Sequence, residues 1–576
     1  MAATRVEERV YSAFGLVPVN PVRFESCYSI PNGGVLLLLP FLIVCGLFSY
    51  REYYNDRRGY YTFDALLITI SFFFLLRIKA VEQSKLYNPG EMGKLIGYDR
   101  IPEVKKLRGM IQELTQAGKC QEWGKSLSGK WINEEEPELY YVDGHVQVYH
   151  GYLAQLGKKH VSRQRLCLPG MMEFWVNSAE GLPFFFITAQ VNEKMIEMLE
   201  TEIIPHLLTL HTVSETQMAM MEQSPDYPLF TLVFDREAYS PALFAKLWKE
   251  HRIAVLTYRK NVKDLWDAHE FKGVSVDVRL GKSVMELHEK NITLDGYSMR
   301  EVRRLSTGGH QTSIITNNRI LSIALIACYM FGRWVQENFF RYLRQEYAFD
   351  KIIQYATDEI DKSVMVVNRE YSNIQYEIKK KREKLSRLKA NIYQHQQSIP
   401  KEMEDQNRNE TYKSEGIWFK KMIRLTEKGE QIQQEIDELI AKRKTVHYKI
   451  PVGQMPENTR YAKLHQESKY LMNIIKMICY RAETLLANKL APFYSRADDE
   501  LRALVKAITH LSIDIRPDTA NDILNITLYP LANLRSQKAL ANIIDDVNAS
   551  QTLYPGTNLT LKFEIATFRV APSQEF

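Results

Sequence analysis

Three acidic residues stand in settings where a carboxylate can do chemistry. Asp143 lies in YYVDGHVQVY, Asp235 ends the apolar run LFTLVFD, and Glu337 sits inside ALIACYMFGRWVQENFFRYLRQEY. Three carboxylates drawn together repel one another and stay ionised at neutral pH only with cations between them. Hard oxygen ligands with open positions suit Mg²⁺ or Mn²⁺. Two such ions about 3.5–4 Å apart activate an attacking oxygen and stabilise the departing one in phosphodiester cleavage. The chemistry implied is phosphoryl transfer. Taken singly, each residue also has an ordinary role: a solvent-facing strand aspartate, a helix N-cap, and half of a surface Arg333–Glu337 pair at i,i+4.

The elements that must position these acids are readable from periodicity. Alternation in YYVDGHVQVY puts Val142, Val146 and Val148 on one face and Asp143, His145 and Gln147 on the other. LFTLVFD is apolar enough for a central strand buried on both faces, with Asp235 where it emerges. Strand ends of this kind are where α/β sheets bind ligands; the competing role for Asp235 is to cap the helical stretch SPALFAKLWKEH. Around Glu337 a helix is expected from about Arg319 to Tyr347. With about 100° per residue, Tyr329, Arg333 and Glu337 stack on one stripe, to which Arg344 returns.

Around these elements the chain divides into four regions. Residues 1–130 read as helical, and their basic stretch EMGKLIGYDRIPEVKKLRGMIQEL offers Lys105, Lys106 and Arg108 either to DNA phosphates or simply to solvent. Residues 131–350 alternate strands and helices as an α/β domain with a mixed sheet, with a β-rich insertion at about 265–315. Over 351–450, apolar residues at alternating threes and fours (Ile374, Ile378, Leu385, Leu388, then Leu425, Ile432, Ile436, Leu439) predict a coiled-coil hairpin. Its basic run KKKREKLSRLK is read first as a solvated face. Residues 451–576 are expected to be helical and then a small α/β unit built on ILNITLYPL and TNLTLKFEI.

Composition narrows the class without choosing a partner. A 576-residue chain needs several cores, and a formal charge of +6 is small beside 75 basic and 69 acidic residues. The six cysteines contain no CxxC pair, which speaks against a zinc knuckle or disulfide framework and fits a reducing compartment. The charged start MAATRVEERV is not expected to direct export. The apolar runs Val35 to Phe48 and Ala65 to Leu76 fall short of the roughly 20 residues a bilayer span requires, so they are read as buried helical core with no membrane partner.

At YYVDGHVQVYHG, LVFDREAYSP and RWVQENFFRYLRQEY the chain resembles the DDE transposases of bacterial insertion sequences, whose catalytic core has an RNase H-like fold. The gaps between the acids, 235 − 143 = 92 and 337 − 235 = 102 residues, suit such a core with an insertion. The flanking segments are similar to a subgroup of large transposases. The resemblance implies a bacterial, cytoplasmic and nucleoid-associated enzyme, working as a homodimer on double-stranded DNA, both transposon ends and target. With two Mg²⁺ or Mn²⁺ ions at Asp143, Asp235 and Glu337, it would hydrolyse a transposon end to a 3′-OH that then attacks target DNA. Arg333, Arg344 and Tyr329 would position phosphates, His145 either touches the scissile strand or is structural, and Trp266 either stacks on a flipped base or fills the core. Three residues separate Tyr329 from Arg333 where many members have two, and Arg344 replaces a lysine. The alternatives are an RNase H-like nuclease without strand transfer, a relative kept only to bind DNA, and a non-enzymatic coiled-coil scaffold.

Overall fold

The computed structural model describes residues 5–54, 58–149, 156, 158–161, 166–190, 193–278, 281–332, 334–349, 357–359, 363, 365–397, 408–455, 462–464, 466–494 and 498–566. Two compact units emerge: one holds 1–151, 157–356 and 465–576, the other 152–156 and 357–464.

The larger unit is a mixed α/β fold centred on a ten-stranded sheet. Its strands in chain order are β2 (Leu139–Val148), β3 (Lys158–Val161), β4 (Leu166–Asn177), β5 (Pro183–Gln190), β6 (Phe230–Phe234), β7 (Ile253–Tyr258), β8 (Lys272–Val278), β9 (Gly281–Leu294), β10 (Tyr297–Leu305) and β11 (Gln311–Thr316); β1 (Cys27–Ile30) belongs to a second sheet. β4 pairs antiparallel with β2 and β5, while β2, β6 and β7 run parallel. All five residues of β6 are buried, as its unbroken apolar run requires of a strand covered on both faces. One face carries Tyr140, Val142, Leu232, Phe234 and Val255 into the main core. The other carries Tyr141, Val233 and Leu256 against Ile326 and Met330 of the Ile323–Gly332 helix. Strand alternation has thus sorted two apolar layers onto the two sides of one sheet.

Several local expectations change in the folded chain. The residues expected as a β-rich insertion form β8 to β11, and β11 pairs antiparallel with β7, so the main sheet continues through them. The helix expected from Arg319 begins at Ile323 and is described as two stretches, Ile323–Gly332 and Trp334–Tyr347. Asn318 accounts for the late start, because its side chain accepts from the amides of Ile320 and Leu321 and holds a turn there. Among the first 130 residues, otherwise helical, β1 pairs with Ile513–Asp518, which pairs in turn with Ile523–Leu528, itself parallel to Thr560–Ile565.

Both early apolar runs are core. Pro40 sits in the first turn of Leu39–Val44, where a missing amide costs nothing, and every residue of Phe63–Leu75 except Phe63 is buried. Among the described residues no helix is long and apolar enough to cross a membrane. The six cysteines are free thiols.

The smaller unit is a helical hairpin of Arg369–Gln397 and Arg408–Thr445. Contacts run in opposite order along the two helices (Gln375 with Arg443, Lys381 with Glu435, His395 with Trp418), so they are antiparallel. Ile374, Ile378, Leu385 and Leu388 pack on Ile432 and Ile436, the positions that the three-and-four spacing singled out.

Candidate active site

The register between β2 and β6 decides where two of the acids stand. Pairing runs from Leu139↔Thr231 to Val142↔Phe234, and the next residue on each strand is Asp143 or Asp235. Neighbouring strands lie about 4.8 Å apart. The two aspartates therefore leave adjacent strands at one level, and alternation directs both away from Val142 and Phe234, toward the face of Tyr141 and Val233. Both are half-buried. Asp143 Oδ1 accepts from the Gly144 amide at 2.9 Å, and Asp235 Oδ1 from the Arg236 amide at 2.6 Å.

Asp235 does act as an N-cap, but of the short turn Arg236–Ala238. The helix that follows, Pro241–His251, is capped by Ser240, whose hydroxyl accepts from Leu243. The capping role considered for Asp235 on that helix is thus filled by another residue, because Pro241 fixes the first helical position and leaves Ser240 just before it.

Glu337 reaches the same region from the helical stretch Trp334–Tyr347. It lines, with Asp143, a groove of about 460 Å³. Glu237 adds a third carboxylate to that wall, while Lys159, Arg341 and Arg344 supply cations. Such a groove can hold a phosphodiester strand between cationic side chains with carboxylates beside it. Among the described residues, no group of three or more His, Cys, Asp or Glu side chains is gathered closely enough to hold a metal ion. The donor types nevertheless fit one: carboxylate oxygens on neighbouring strands and a facing helix are the set that Mg²⁺ or Mn²⁺ takes.

His145 is the fastener between strand and helix. It is 5% exposed, and its ring stacks on Phe340 at 5.2 Å and 14° and packs against Phe349 at 5.1 Å. Two residues from Asp143 and stacked on the residue three beyond Glu337, it packs the strand of one acid against the helix of the other. His145→Ala is expected to cost about 2–3 kcal/mol, from lost burial plus the ring pair, and to reduce activity further than folding alone explains. His145→Phe keeps the stack and is expected to restore most of both. A melt unchanged in the alanine variant would refute the role.

The other residues singled out in the sequence scatter. Arg344 lines the groove. Tyr329 is not among its lining residues: its carbonyl accepts from the Tyr141 hydroxyl at 2.7 Å, and burial pushes its phenol above the ordinary pKa. Arg333 lies outside the described residues. Trp266 belongs to the extension of the sheet, where the Arg303 guanidinium covers its ring at 4.1 Å and Lys290 lies 4.8 Å from the ring centre. Lys105, Lys106 and Arg108 are exposed on Val104–Gln116, none of them lines the groove, and Arg108 is paired with Glu82. Arg341 and Glu237 escaped notice, yet both carried a signal: Arg341 follows Glu337 by four residues on one helical stripe, and Glu237 follows Asp235 by two. Lys159 and His160 left none, since only the pairing of β3 with β4 brings them to the groove.

Comparison with known proteins adds the family. No curated protein matches the chain. Among solved structures, a cryo-EM structure of the piggyBac transposase synaptic complex with hairpin DNA aligns over 82% of this chain and 85% of its own, at 10% identity and a TM-score of 0.29, too low to support a shared fold. A family model described as "Transposase protein" matches residues 1–567, and on that match the chain belongs to this transposase family.

Proposed function

We propose that this protein is a DDE-type transposase with an RNase H-like catalytic core, cleaving DNA at transposon ends and joining them to target DNA. The observation that carries the reading is the β2–β6 register, which brings Asp143 and Asp235 out side by side, together with the groove that Asp143 shares with Glu337. The order β5-β4-β2-β6-β7, an antiparallel meander joined through β2 to two parallel strands, supports the RNase H-like core.

In this reading Asp143, Asp235 and Glu337 hold two Mg²⁺ or Mn²⁺ ions, which when bound supply an activated attacking oxygen and charge neutralisation at the leaving one. The chain's own part is positioning. Arg341 and Arg344 hold phosphate oxygens, Arg344 bidentately where geometry allows. The packing of His145, Phe340 and Phe349 keeps the helix carboxylate at the strand carboxylates. Double-stranded DNA is the partner and a homodimer the working form.

The test is to incubate the purified chain and Mg²⁺ with DNA carrying the inverted repeats that flank its coding region, plus a target plasmid. Cleaved ends bearing 3′-OH groups and strand-transfer products are expected together. Cleavage without joining would replace this reading with a nuclease; neither product would reject both.

A further inference from the structure

A second cavity, of about 430 Å³, is lined by Arg236, the residue next to Asp235. Three successive residues define the relation between the two. Glu237 lines the groove shared by Asp143 and Glu337, Arg236 lines the second cavity, and Asp235 precedes both at the end of β6. Arg259 and Lys263, which follow the C-terminal end of the parallel strand β7, line the same cavity. Both cavities thus open at the edge of the sheet where parallel strands end, the edge at which α/β sheets bind ligands.

The charge of the second cavity specifies what it takes. Its wall carries the cations Arg236, Arg259 and Lys263 against one carboxylate, Asp264, and Asp264 is already engaged by Arg303 at 2.7 Å. Behind the wall the fully buried Glu301 is shared between Arg259 at 2.5 Å and Arg303 at 2.7 Å. Four cations, Arg236, Arg259, Lys263 and Arg303, face two carboxylates, so the cluster keeps an excess of 4 − 2 = +2. Glu301 also fixes Arg259 in place, a preorganised donor instead of a floppy surface one. A polar, solvent-open pocket with that surplus selects a phosphate group over a neutral or cationic ligand.

We infer that this cavity binds backbone phosphates of the DNA strand that occupies the catalytic groove, so that the strand passes over Asp235 and is gripped on both sides of it. The inference rests on the transposase reading and adds to it a substrate track: the cations that follow β6 and β7 hold the strand beyond the reacting bond. Arg236 and Lys263 are exposed, and neutralising them disturbs little packing beyond the contact of Arg236 with the Tyr258 ring. Arg259 is less suitable as a probe because its removal strands Glu301.

The experiment compares full-length protein with the double variant Arg236→Gln, Lys263→Gln, and with a version in which Arg236→Lys keeps the charge and Lys263 is native. Duplex DNA affinity is measured by anisotropy across a salt series, and folding by thermal melt. The double variant is expected to melt like the native protein, bind DNA on the order of tenfold more weakly, and lose about 0.9 of the log–log salt slope per contact removed. The Arg236→Lys protein is expected to retain most of both. A second arm adds inorganic pyrophosphate, which should compete with DNA for the native protein and much less for the double variant. An unaltered DNA affinity and slope in the double variant would overturn the inference, as would pyrophosphate binding that depends on these residues while DNA binding does not, since that would mark a site for free phosphate. Failure of the native protein itself to bind or cut DNA would instead refute the transposase reading.

Discussion

Asp235→Asn is expected to lower DNA cleavage in Mg²⁺ by on the order of 10³-fold or more while leaving the fold and DNA affinity close to native. The substitution conserves volume, and the remaining side-chain oxygen can still accept from the Arg236 amide, so the turn Arg236–Ala238 keeps its cap. Asp235 is half-buried and closes a strand whose packing depends on Phe230 to Phe234, so stability should change by no more than about 0.5 kcal/mol. What disappears is one anionic oxygen at the edge shared with Asp143. Because ligands of one site act as a unit, Asp143→Asn and Glu337→Gln should each fall to a similar floor, and a double variant should fall little further. The measurement is end-labelled DNA cleavage alongside a thermal melt. Cleavage at native rate by Asp235→Asn would remove the basis for placing chemistry at this sheet edge.

Much of this arrangement could be read in the chain before folding, and the reason is local. A period of two in YYVDGHVQVY places Asp143 opposite Val142, and five apolar residues before Asp235 leave it only a strand end to occupy. The hairpin was equally visible, because Ile374, Ile378, Leu385 and Leu388 state their buried face within one helix. Pairings between distant segments left no such trace. Nothing near Cys27 announces that it lies beside Ile515, and nothing in Ile314 announces Tyr258 as its partner, so the N-terminal strand and the continuation of the main sheet were both missed. Trp266 shows a third limit. An exposed-looking tryptophan in a polar segment suits base stacking as well as core filling, and only the position of Arg303, set by its pairs with Glu301 and Asp264, shows its ring already covered by a cation. Periodicity reports which face a residue occupies; it does not report what will be set against that face.

The helix bearing Glu337 is held at its far end by a buried charge network, and breaking that network gives the largest expected loss of stability. Glu483, fully buried on Gln466–Leu490, accepts from the hydroxyls of Tyr342 and Tyr347, each at 2.7 Å, and lies 2.8 Å from Arg77 Nη1. Both tyrosines belong to Trp334–Tyr347, as does Glu346, which Arg77 Nε contacts at 2.7 Å. Arg77 is 8% exposed at its side chain and sits at φ +64°, a left-handed conformation that costs a non-glycine residue about 1 kcal/mol or more and persists only when contacts over-determine it. Burial opposes its charge, but Glu483 together with Tyr347 and Tyr342 outweighs that and holds the guanidinium's pKa above its ordinary value. Glu483→Ala leaves Arg77 with Glu346 as its one remaining carboxylate, the nearby Arg502 as a buried cation without its own, and two phenols without that acceptor. The expected cost is about 3–5 kcal/mol, the range for removing one partner of a buried ion pair. It would be read as a lowered denaturant midpoint, and DNA cleavage should fall by more than DNA binding does, because the helix that aims Glu337 has lost its anchor. Replacing both partners, Glu483→Gln with Arg77→Met, should cost less than the sum of the single changes, since of the two buried cations beside Glu483 only Arg502 then remains. A native midpoint in Glu483→Ala, or strict additivity in the pair, would mean that the helix is held by its aromatic packing on Trp175 and Tyr480 and that the charges merely accompany it.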